Sequence, residues 1–76
     1  MSGVPIPNPC DFLDKMQPIG AVNGEKRWRS PKGRLYTWDS LHGEIEVFNK
    51  RGRHLGVMDC KGNQIKDSVN GRSIDV

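Results

Sequence analysis

Beyond residue 24, hydrophobic residues alternate with polar ones in short segments, and no segment keeps a helical period over several turns. Turn-forming residues interrupt these segments about every ten residues, which is typical of chains of short β-strands. The pattern predicts strands at residues 26–30, 34–39, 44–49, 54–59, 63–67 and 72–75. Connections this short favour antiparallel neighbours. The predicted fold class is therefore mainly β: a small, highly twisted antiparallel meander with a short N-terminal helix.

The first quarter of the chain has a different pattern. Residues 1–9 hold three prolines, which indicates an extended arm. Residues 11–17 begin with a potential N-cap aspartate and place three large apolar side chains on one face, which predicts a short helix. Residues 20–25 are predicted to be a turn or linker. The chain is thus divided into an N-terminal accessory segment, residues 1–24, and a main domain, residues 25–76.

The length of 76 residues allows one small domain, and only 34% of these residues are apolar. No segment approaches the roughly 20 apolar residues of a transmembrane helix. No basic stretch leads into an apolar core at the N-terminus, so a cleavable signal peptide is not expected. A functional site on so small a chain is expected to be a surface groove. The predicted core is Trp28, Leu35, Tyr36, Trp38, Ile45, Val47, Phe48, Leu55, Val57, Met58, Ile65 and Ile74.

The chain has two cysteines, Cys10 and Cys60. One pair so far apart does not make a disulfide framework, and the spacing of zinc ligands is absent. We therefore expect two free thiols without a chemical role. A single disulfide remains the alternative.

Candidate chemistry is concentrated between residues 36 and 46. A reversal at residues 40–43, whose final glycine can adopt a positive φ, would let Asp39 and His42 touch. Because side chains alternate along a strand, Glu44 and Glu46 should then point to the same face of the sheet. The carboxylates of Asp39 and Glu46 and the imidazole of His42 are therefore expected in one groove, with Glu44 beside them.

These groups suit the cleavage of an RNA phosphodiester without a metal. Glu46 would take the proton of the ribose 2′-OH, His42 would protonate the departing 5′-oxygen, and Asp39 would orient the imidazole. Arg72 or Lys66 would stabilise the charge on the phosphate. Two simpler interpretations stay open: carboxylates that only solubilise a hairpin, and a metal site formed by Asp39, His42 and Glu46.

The net charge is +3, and the basic residues cluster at residues 26–34, around Trp28, and again at residues 50–53. Cations beside an aromatic ring suit a groove that binds RNA, although solvated turns explain such clusters equally well. His54 is predicted to be structural. The candidate substrate-binding residues are Lys32, Arg34, Tyr36, Trp38, Glu44 and Lys66.

Several motifs occur in collinear order: Y-x-W-D-S-x-H-G-E-x-E at 36–46, H-L-G at 54–56, G-N-Q-x-K at 62–66 and R-x-I at 72–74. With the preceding R-W and K-G-R they cover about two thirds of the chain. In these motifs the chain resembles the cytotoxic C-terminal ribonuclease domain of the ribosome-inactivating E-type colicins and cloacin. The family has a tyrosine at the position of Phe48 and is more strongly basic.

The resemblance implies a twisted antiparallel sheet and a metal-independent ribonuclease, without a cofactor, that cuts 16S rRNA once at the ribosomal decoding site. By motif position, it assigns the catalytic residues to Asp39, His42, Glu46 and Arg72, and a substrate contact to Lys66. It also implies an acidic immunity protein as partner. As part of a larger secreted or contact-delivered toxin, the domain would act in the cytoplasm of a competing bacterium.

Two other functions stay open on the sequence alone. One is a non-catalytic, basic RNA-binding β-domain. The other is a protein-interaction module for an acidic partner. The first predicts salt-sensitive RNA binding, and the second predicts a tight protein complex without RNA affinity. Neither predicts strand scission, which distinguishes both from a ribonuclease.

Overall fold

A computed structural model describes residues 3–22 and 24–76 of the chain. Within these residues, one short helix, α1 (Asp11–Asp14), precedes a sheet of six strands. Each strand pairs antiparallel with the next in chain order, which confirms the predicted meander. The strands are β1 (Gln17–Val22), β2 (Glu25–Arg29), β3 (Leu35–Asp39), β4 (Glu44–Phe48), β5 (His54–Met58) and β6 (Gln64–Asp67).

Strand β1 is the main correction to the predicted elements. The turn or linker expected at residues 20–25 is wrong, because β1 runs to Val22 and β2 begins at Glu25. Pro18 and Gly20 lie inside this segment, and because both residues are uncommon in strands, the sequence pattern does not predict β1. The proline is tolerated because β1 is an edge strand whose register shifts between Pro18 and Ala21. The division of the chain at residue 24 stays a prediction.

Two further elements differ from expectation. Helix α1 ends at Asp14, three residues before the predicted end. The strand predicted at residues 72–75 is reduced to an isolated bridge between Arg53 and Ser73. The C-terminal segment is instead fastened by single hydrogen bonds, from the Ile74 N–H to the Gly52 carbonyl at 2.8 Å and from Arg27 Nη1 to the Asp75 carbonyl at 2.6 Å.

The hydrophobic core lies between α1 and one face of the sheet. The ring of Phe12 meets that of Tyr36 edge to face at a centroid distance of 5.1 Å. Most of the predicted core residues are buried or pack against this core. Phe48 and Val57 are buried on the opposite face, and Ile65 is 46% exposed because it lies on the edge strand β6. The buried cluster also contains residues of the N-terminal segment that were not predicted; its members are Cys10, Leu13, Tyr36, Ile45 and Val47.

The opposite face of the sheet carries the polar residues. A row of residues in register crosses this face from β2 to β6: Arg27, Thr37, Glu46, Val57 and Lys66. Arg27, Thr37 and Glu46 are buried although they are polar or charged. Buried polar groups require partners, so this face is where a functional site is expected.

A disulfide joins Cys10, just before α1, to Cys60, in the turn between β5 and β6. The Cα atoms of the pair are 4.9 Å apart, within the normal range for such a crosslink. The expectation of two free thiols is therefore wrong. The bond fastens the N-terminal segment to the sheet across 50 residues of chain. None of the helices in the described ranges is long and apolar enough to cross a membrane.

Reduction of the disulfide should lower the free energy of unfolding by about 3–4 kcal/mol, because it releases a loop of 50 residues in the unfolded chain. Urea unfolding with and without reductant measures this change. The double variant Cys10→Ser, Cys60→Ser is the control and should not respond to reductant. Equal stability of the oxidised and reduced wild-type protein would contradict the stabilising role of the crosslink.

Candidate active site

The turn between β3 and β4 is organised by the carboxylate of Asp39. Its Oδ1 accepts hydrogen bonds from the backbone N–H groups of Leu41, at 3.0 Å, and His42, at 3.2 Å. The N–H of Gly43 donates to the Asp39 carbonyl at 2.7 Å. Gly43 has a φ of 68°, and a Cβ at this position would lie 3.0 Å from Val4 Cγ1. Both the backbone conformation and the lack of space therefore call for glycine here.

The same carboxylate orients the imidazole of His42. Nδ1 of His42 lies 2.8 Å from Oδ2 of Asp39, which confirms that these residues touch across the turn. The His42 side chain is 58% exposed. Because Asp39 engages Nδ1, the other ring nitrogen, Nε2, is the one available to a ligand. Burial tends to raise the pKa of Asp39, but the hydrogen bonds from His42 and the backbone outweigh it, so this pKa lies below its usual value.

Glu46 is the buried acid of the polar face, and only 5% of its side chain is exposed. Its Oε1 lies 3.0 Å from Nη2 of Arg72 and 3.1 Å from Nε2 of His54. Arg72 comes from the C-terminal segment, whose backbone is fixed because the Arg72 carbonyl accepts a hydrogen bond from the His54 N–H at 3.0 Å. A buried carboxylate without such partners would be strongly destabilising.

A second ion pair borders the site. Nζ of Lys66 lies 3.0 Å from Oε1 of Glu44 and donates a hydrogen bond to it. Glu44 and Glu46 are on the same face, as the alternation along β4 predicts. Lys66 is in β6 and half-exposed, so its ammonium group stands at the open edge of the site.

A groove of about 520 Å³ brings these side chains together. It lies on the polar face between the β3–β4 turn and the C-terminal segment. Apolar walls are contributed by Phe48 and Val57 from the sheet and by Val69 and Ile74 from the C-terminal segment. The predicted site residues that line it are Asp39, His42, Glu44, Glu46, Lys66 and Arg72.

The other predicted site residues lie elsewhere. Tyr36 is 4% exposed and belongs to the core cluster, because it alternates with the groove residues Thr37 and Asp39 along β3. Direct contact between Tyr36 and a substrate is therefore excluded in this conformation. Trp38 shares the core face and donates from Nε1 to the Val4 carbonyl at 2.8 Å.

Lys32 and Arg34 are exposed in the turn between β2 and β3, at the opposite end of the sheet from the His42 turn. The strand between these turns is five residues long, which corresponds to roughly 17 Å. These two cations do not line the groove. A substrate contact by either residue would have to lie outside it.

His54 also lines the groove, although the sequence predicts only a structural role for it. Strict alternation along β5 would place His54 and Val57 on opposite faces of the sheet. An irregularity in the β4–β5 register inserts Leu55 as an extra residue, since Phe48 pairs with His54 while Val47 pairs with Gly56. The bulge turns His54 toward Glu46. Such a bulge leaves no clear signal in one sequence.

The alternative metal site predicted at Asp39, His42 and Glu46 is not the arrangement found. Within the described part of the chain, the potential ligand atoms that approach within 4.8 Å of one another belong to Asp39, His42 and Glu44. In this group, the carboxylate of Glu44 already has the ammonium group of Lys66 as its cation. Glu46 is instead engaged by His54 and Arg72.

The fold and the groove together define a small β-domain whose groove is lined by two imidazoles, several carboxylates and two cations. Groups of these kinds are suited to general acid–base chemistry at an anion. The model of the Cytotoxic family matches residues 13–75, and the chain therefore belongs to that family. The match begins within α1 and includes β1, ahead of the predicted boundary at residue 24.

Three relatives from Escherichia coli are similar to this chain. Colicin E3 is 50% identical over 52 residues, which are 64% of this chain and 9% of the colicin. Colicin-E6 is 47% identical and cloacin 41% identical, each over 58 residues that make up 72% of this chain and 10% of the relative. The chain thus spans about a tenth of the length of these bacterial toxins and corresponds to their cytotoxic domain.

The lowered pKa of Asp39 predicts an acid-dependent loss of stability. A carboxyl group whose pKa is depressed by folding stabilises the fold above its unfolded-state value, near 3.8, and loses that contribution as the pH falls through the folded-state value. Asp39→Asn should therefore be less stable than wild type at pH 6, and the difference should shrink as the pH falls below about 4. Thermal melts across this range measure it.

The control for this experiment is Asp14→Asn, which changes an exposed carboxylate on α1. This variant should follow the wild-type melting temperature over the whole range. A difference between Asp39→Asn and wild type that is independent of pH would show that the charge of Asp39 does not contribute.

Proposed function

We propose that this chain is the metal-independent endoribonuclease domain of a bacterial toxin, and that its substrate is the 16S rRNA at the decoding site of the small ribosomal subunit. The observation that carries the proposal is the convergence of His42, Glu46 and Arg72 on one groove. Membership in the Cytotoxic family and similarity to colicin E3 support it.

In the proposed reaction, Glu46 accepts the proton of the ribose 2′-OH while the 2′-oxygen attacks the adjacent phosphorus. The bond from phosphorus to the 5′-oxygen breaks, and His42 donates a proton to that oxygen. The products are a 2′,3′-cyclic phosphate and a 5′-hydroxyl, so no water, metal or oxidant is consumed in the cut. Proton transfer by two positioned groups of this kind contributes about 10²–10⁴-fold each to the rate.

The contact with Asp39 gives the two ring nitrogens of His42 different roles. The protonated imidazole donates from Nδ1 to Oδ2 of Asp39, at 2.8 Å, and thereby presents the proton on Nε2 to the leaving group. Because Asp39 also accepts the backbone N–H groups of the turn, the ring and the turn are held by one carboxylate. Asp39 is therefore a positioning residue in this mechanism.

Arg72 and Lys66 supply the positive charge at the phosphate. The guanidinium of Arg72 is 3.0 Å from Glu46, and half of the side chain is exposed, so donors remain for a phosphate oxygen. Lys66 is held at the groove by Glu44 and is similarly exposed. Two cations near the site of bond breaking stabilise the charge that develops there.

The basic turns at the other end of the sheet are proposed to bind flanking phosphates. The turn between β2 and β3 carries Lys32 and Arg34, and the turn between β4 and β5 carries Lys50 and Arg51. These turns are adjacent, since a Cβ on Gly33 would lie 3.5 Å from Cβ of Lys50. The same surface favours the second candidate function, RNA binding without cleavage, and both bindings should weaken with salt.

An acidic immunity protein is the proposed protein partner, and the target-cell cytoplasm is the proposed site of action, after release of a larger toxin by the producing cell. The net charge of +3 is complementary to an acidic partner. A protein-interaction module that binds only such a partner is the remaining alternative, and it predicts no effect on RNA.

Intact ribosomes incubated with the domain in EDTA should yield one discrete 3′ fragment of 16S rRNA. His42→Ala and Glu46→Gln should each reduce the rate of its formation by at least about 100-fold, because each removes one proton-transfer group. Denaturing gels of the extracted RNA measure the fragment. Glu46→Gln keeps the size of the buried side chain, which limits any effect on folding.

Asp14→Asn is the matched control and should cut at the wild-type rate, since Asp14 is exposed on α1 and does not line the groove. Absence of the fragment at every concentration of wild-type domain would contradict the proposed activity. Normal cutting by both His42→Ala and Glu46→Gln would contradict the proposed roles.

The rate of cutting should have a bell-shaped dependence on pH. It should fall in acid because a protonated Glu46 cannot act as base, and fall in alkali because a neutral His42 cannot act as acid. A rate that rises steadily with pH would exclude His42 as the acid.

A further inference from the structure

Both ring nitrogens of His54 are occupied, and its side chain is fully buried. Nδ1 accepts a hydrogen bond from the backbone N–H of Val69 at 2.9 Å. Nε2 lies 3.1 Å from Oε1 of Glu46. The ring of Phe48 packs edge to face against the imidazole at a centroid distance of 5.3 Å. The imidazole is therefore held on three sides.

These contacts define where the proton of His54 resides. A backbone N–H can only donate, so Nδ1 must carry a lone pair and the proton must be on Nε2. Nε2 then donates to Oε1 of Glu46. Protonation of Nδ1 would break the bond to Val69, so the ring is arranged as a neutral donor and not as a second general acid.

The two oxygens of Glu46 are consequently different. Oε1 is engaged by Nε2 of His54 and by Nη2 of Arg72, at 3.1 and 3.0 Å. Across the described ranges, no hydrogen bond reaches Oε2. Two partners from different parts of the chain converge on Oε1, which restricts rotation of the carboxylate, and Oε2 is left free to accept a proton.

We propose that His54 is a positioning residue for Glu46, an inference that rests on the proposed ribonuclease function. As a neutral Nε2–H donor, His54 fixes Oε2 of Glu46 as the oxygen that takes the 2′-OH proton. His54 also connects the base to the cation. Its backbone N–H binds the Arg72 carbonyl at 3.0 Å while its side chain binds Glu46, so one residue sets the separation of the two groups. Placement of reacting groups within a fraction of an ångström is worth orders of magnitude in rate.

Two substitutions separate the two hydrogen bonds of the ring. His54→Asn keeps an acceptor near the position of Nδ1, for Val69, but loses the donor to Glu46. His54→Gln places an N–H donor near the position of Nε2 and so retains the contact with Glu46. With intact ribosomes, His54→Asn should lower kcat by about 10- to 100-fold with unchanged KM, whereas His54→Gln should stay within about threefold of wild-type kcat.

Melting temperatures and circular dichroism of both variants accompany the kinetics. A purely structural role predicts that activity follows the fraction of folded protein in both variants, which would overturn the proposal. Equal kcat values for folded His54→Asn and wild type would also overturn it. If the wild-type domain does not cut ribosomes at all, the proposed function fails, and that outcome is distinct from a failure of the His54 assignment.

A measurement on the wild-type protein tests the assignment without activity and without a variant. Two-dimensional ¹⁵N–¹H NMR of the histidine side chains should show the His54 proton on Nε2 and none on Nδ1 throughout the pH range of cutting. In Glu46→Ala, the Nε2 proton should exchange faster with water. A proton on Nδ1, or a doubly protonated His54 at the pH of maximal rate, would overturn the proposal.

Discussion

The buried carboxylate of Glu46 is the constraint on which the rest of the polar face depends. A charge removed from water is costly unless it is paired and hydrogen-bonded. Here the partners are Arg72, which lies in the C-terminal segment, and His54, which a bulge in the sheet turns toward Glu46. The groove therefore exists because the chain brings distant residues to one carboxylate.

The N-terminal and C-terminal segments of the chain pack against opposite faces of the sheet. The N-terminal segment covers the apolar face, where α1 and the disulfide close the core. The C-terminal segment crosses the polar face and carries Arg72 to the groove, through bonds to His54, Gly52 and Arg27. The main core cluster and the candidate chemistry thus lie on opposite faces of the sheet. The polar face also buries apolar side chains, since Phe48 and Val57 lie in the groove beside Glu46.

Local features of the site were predictable from the sequence, whereas long-range ones were not. The contact between Asp39 and His42 follows from a four-residue turn that ends in glycine, and the common face of Glu44 and Glu46 follows from alternation. The position of His54 in the groove does not follow from alternation, because a bulge reverses the alternation along β5. Tyr36, a candidate substrate-binding residue, belongs to the core cluster because it points to the other face of β3 from Thr37 and Asp39.

The same difference between predictable local features and unpredictable long-range features applies to the fold. Strands β2 to β6 were recognisable from short apolar segments between turns, while β1 was hidden by an internal proline and glycine that only an edge strand tolerates. The disulfide depends on the docking of α1 near the β5–β6 turn, where the Phe12 N–H binds the Cys60 carbonyl at 2.8 Å. That proximity is a tertiary property that residue spacing does not contain.

In the proposed mechanism, Glu46 and His42 form a base and acid pair that transfers protons within RNA. The chemical ends of the cut 16S rRNA test this most directly, with EDTA present throughout. The proposed mechanism predicts a 2′,3′-cyclic phosphate on the upstream fragment and a 5′-hydroxyl on the downstream fragment. A 5′-phosphate on the downstream fragment, or cutting that EDTA abolishes, would contradict it.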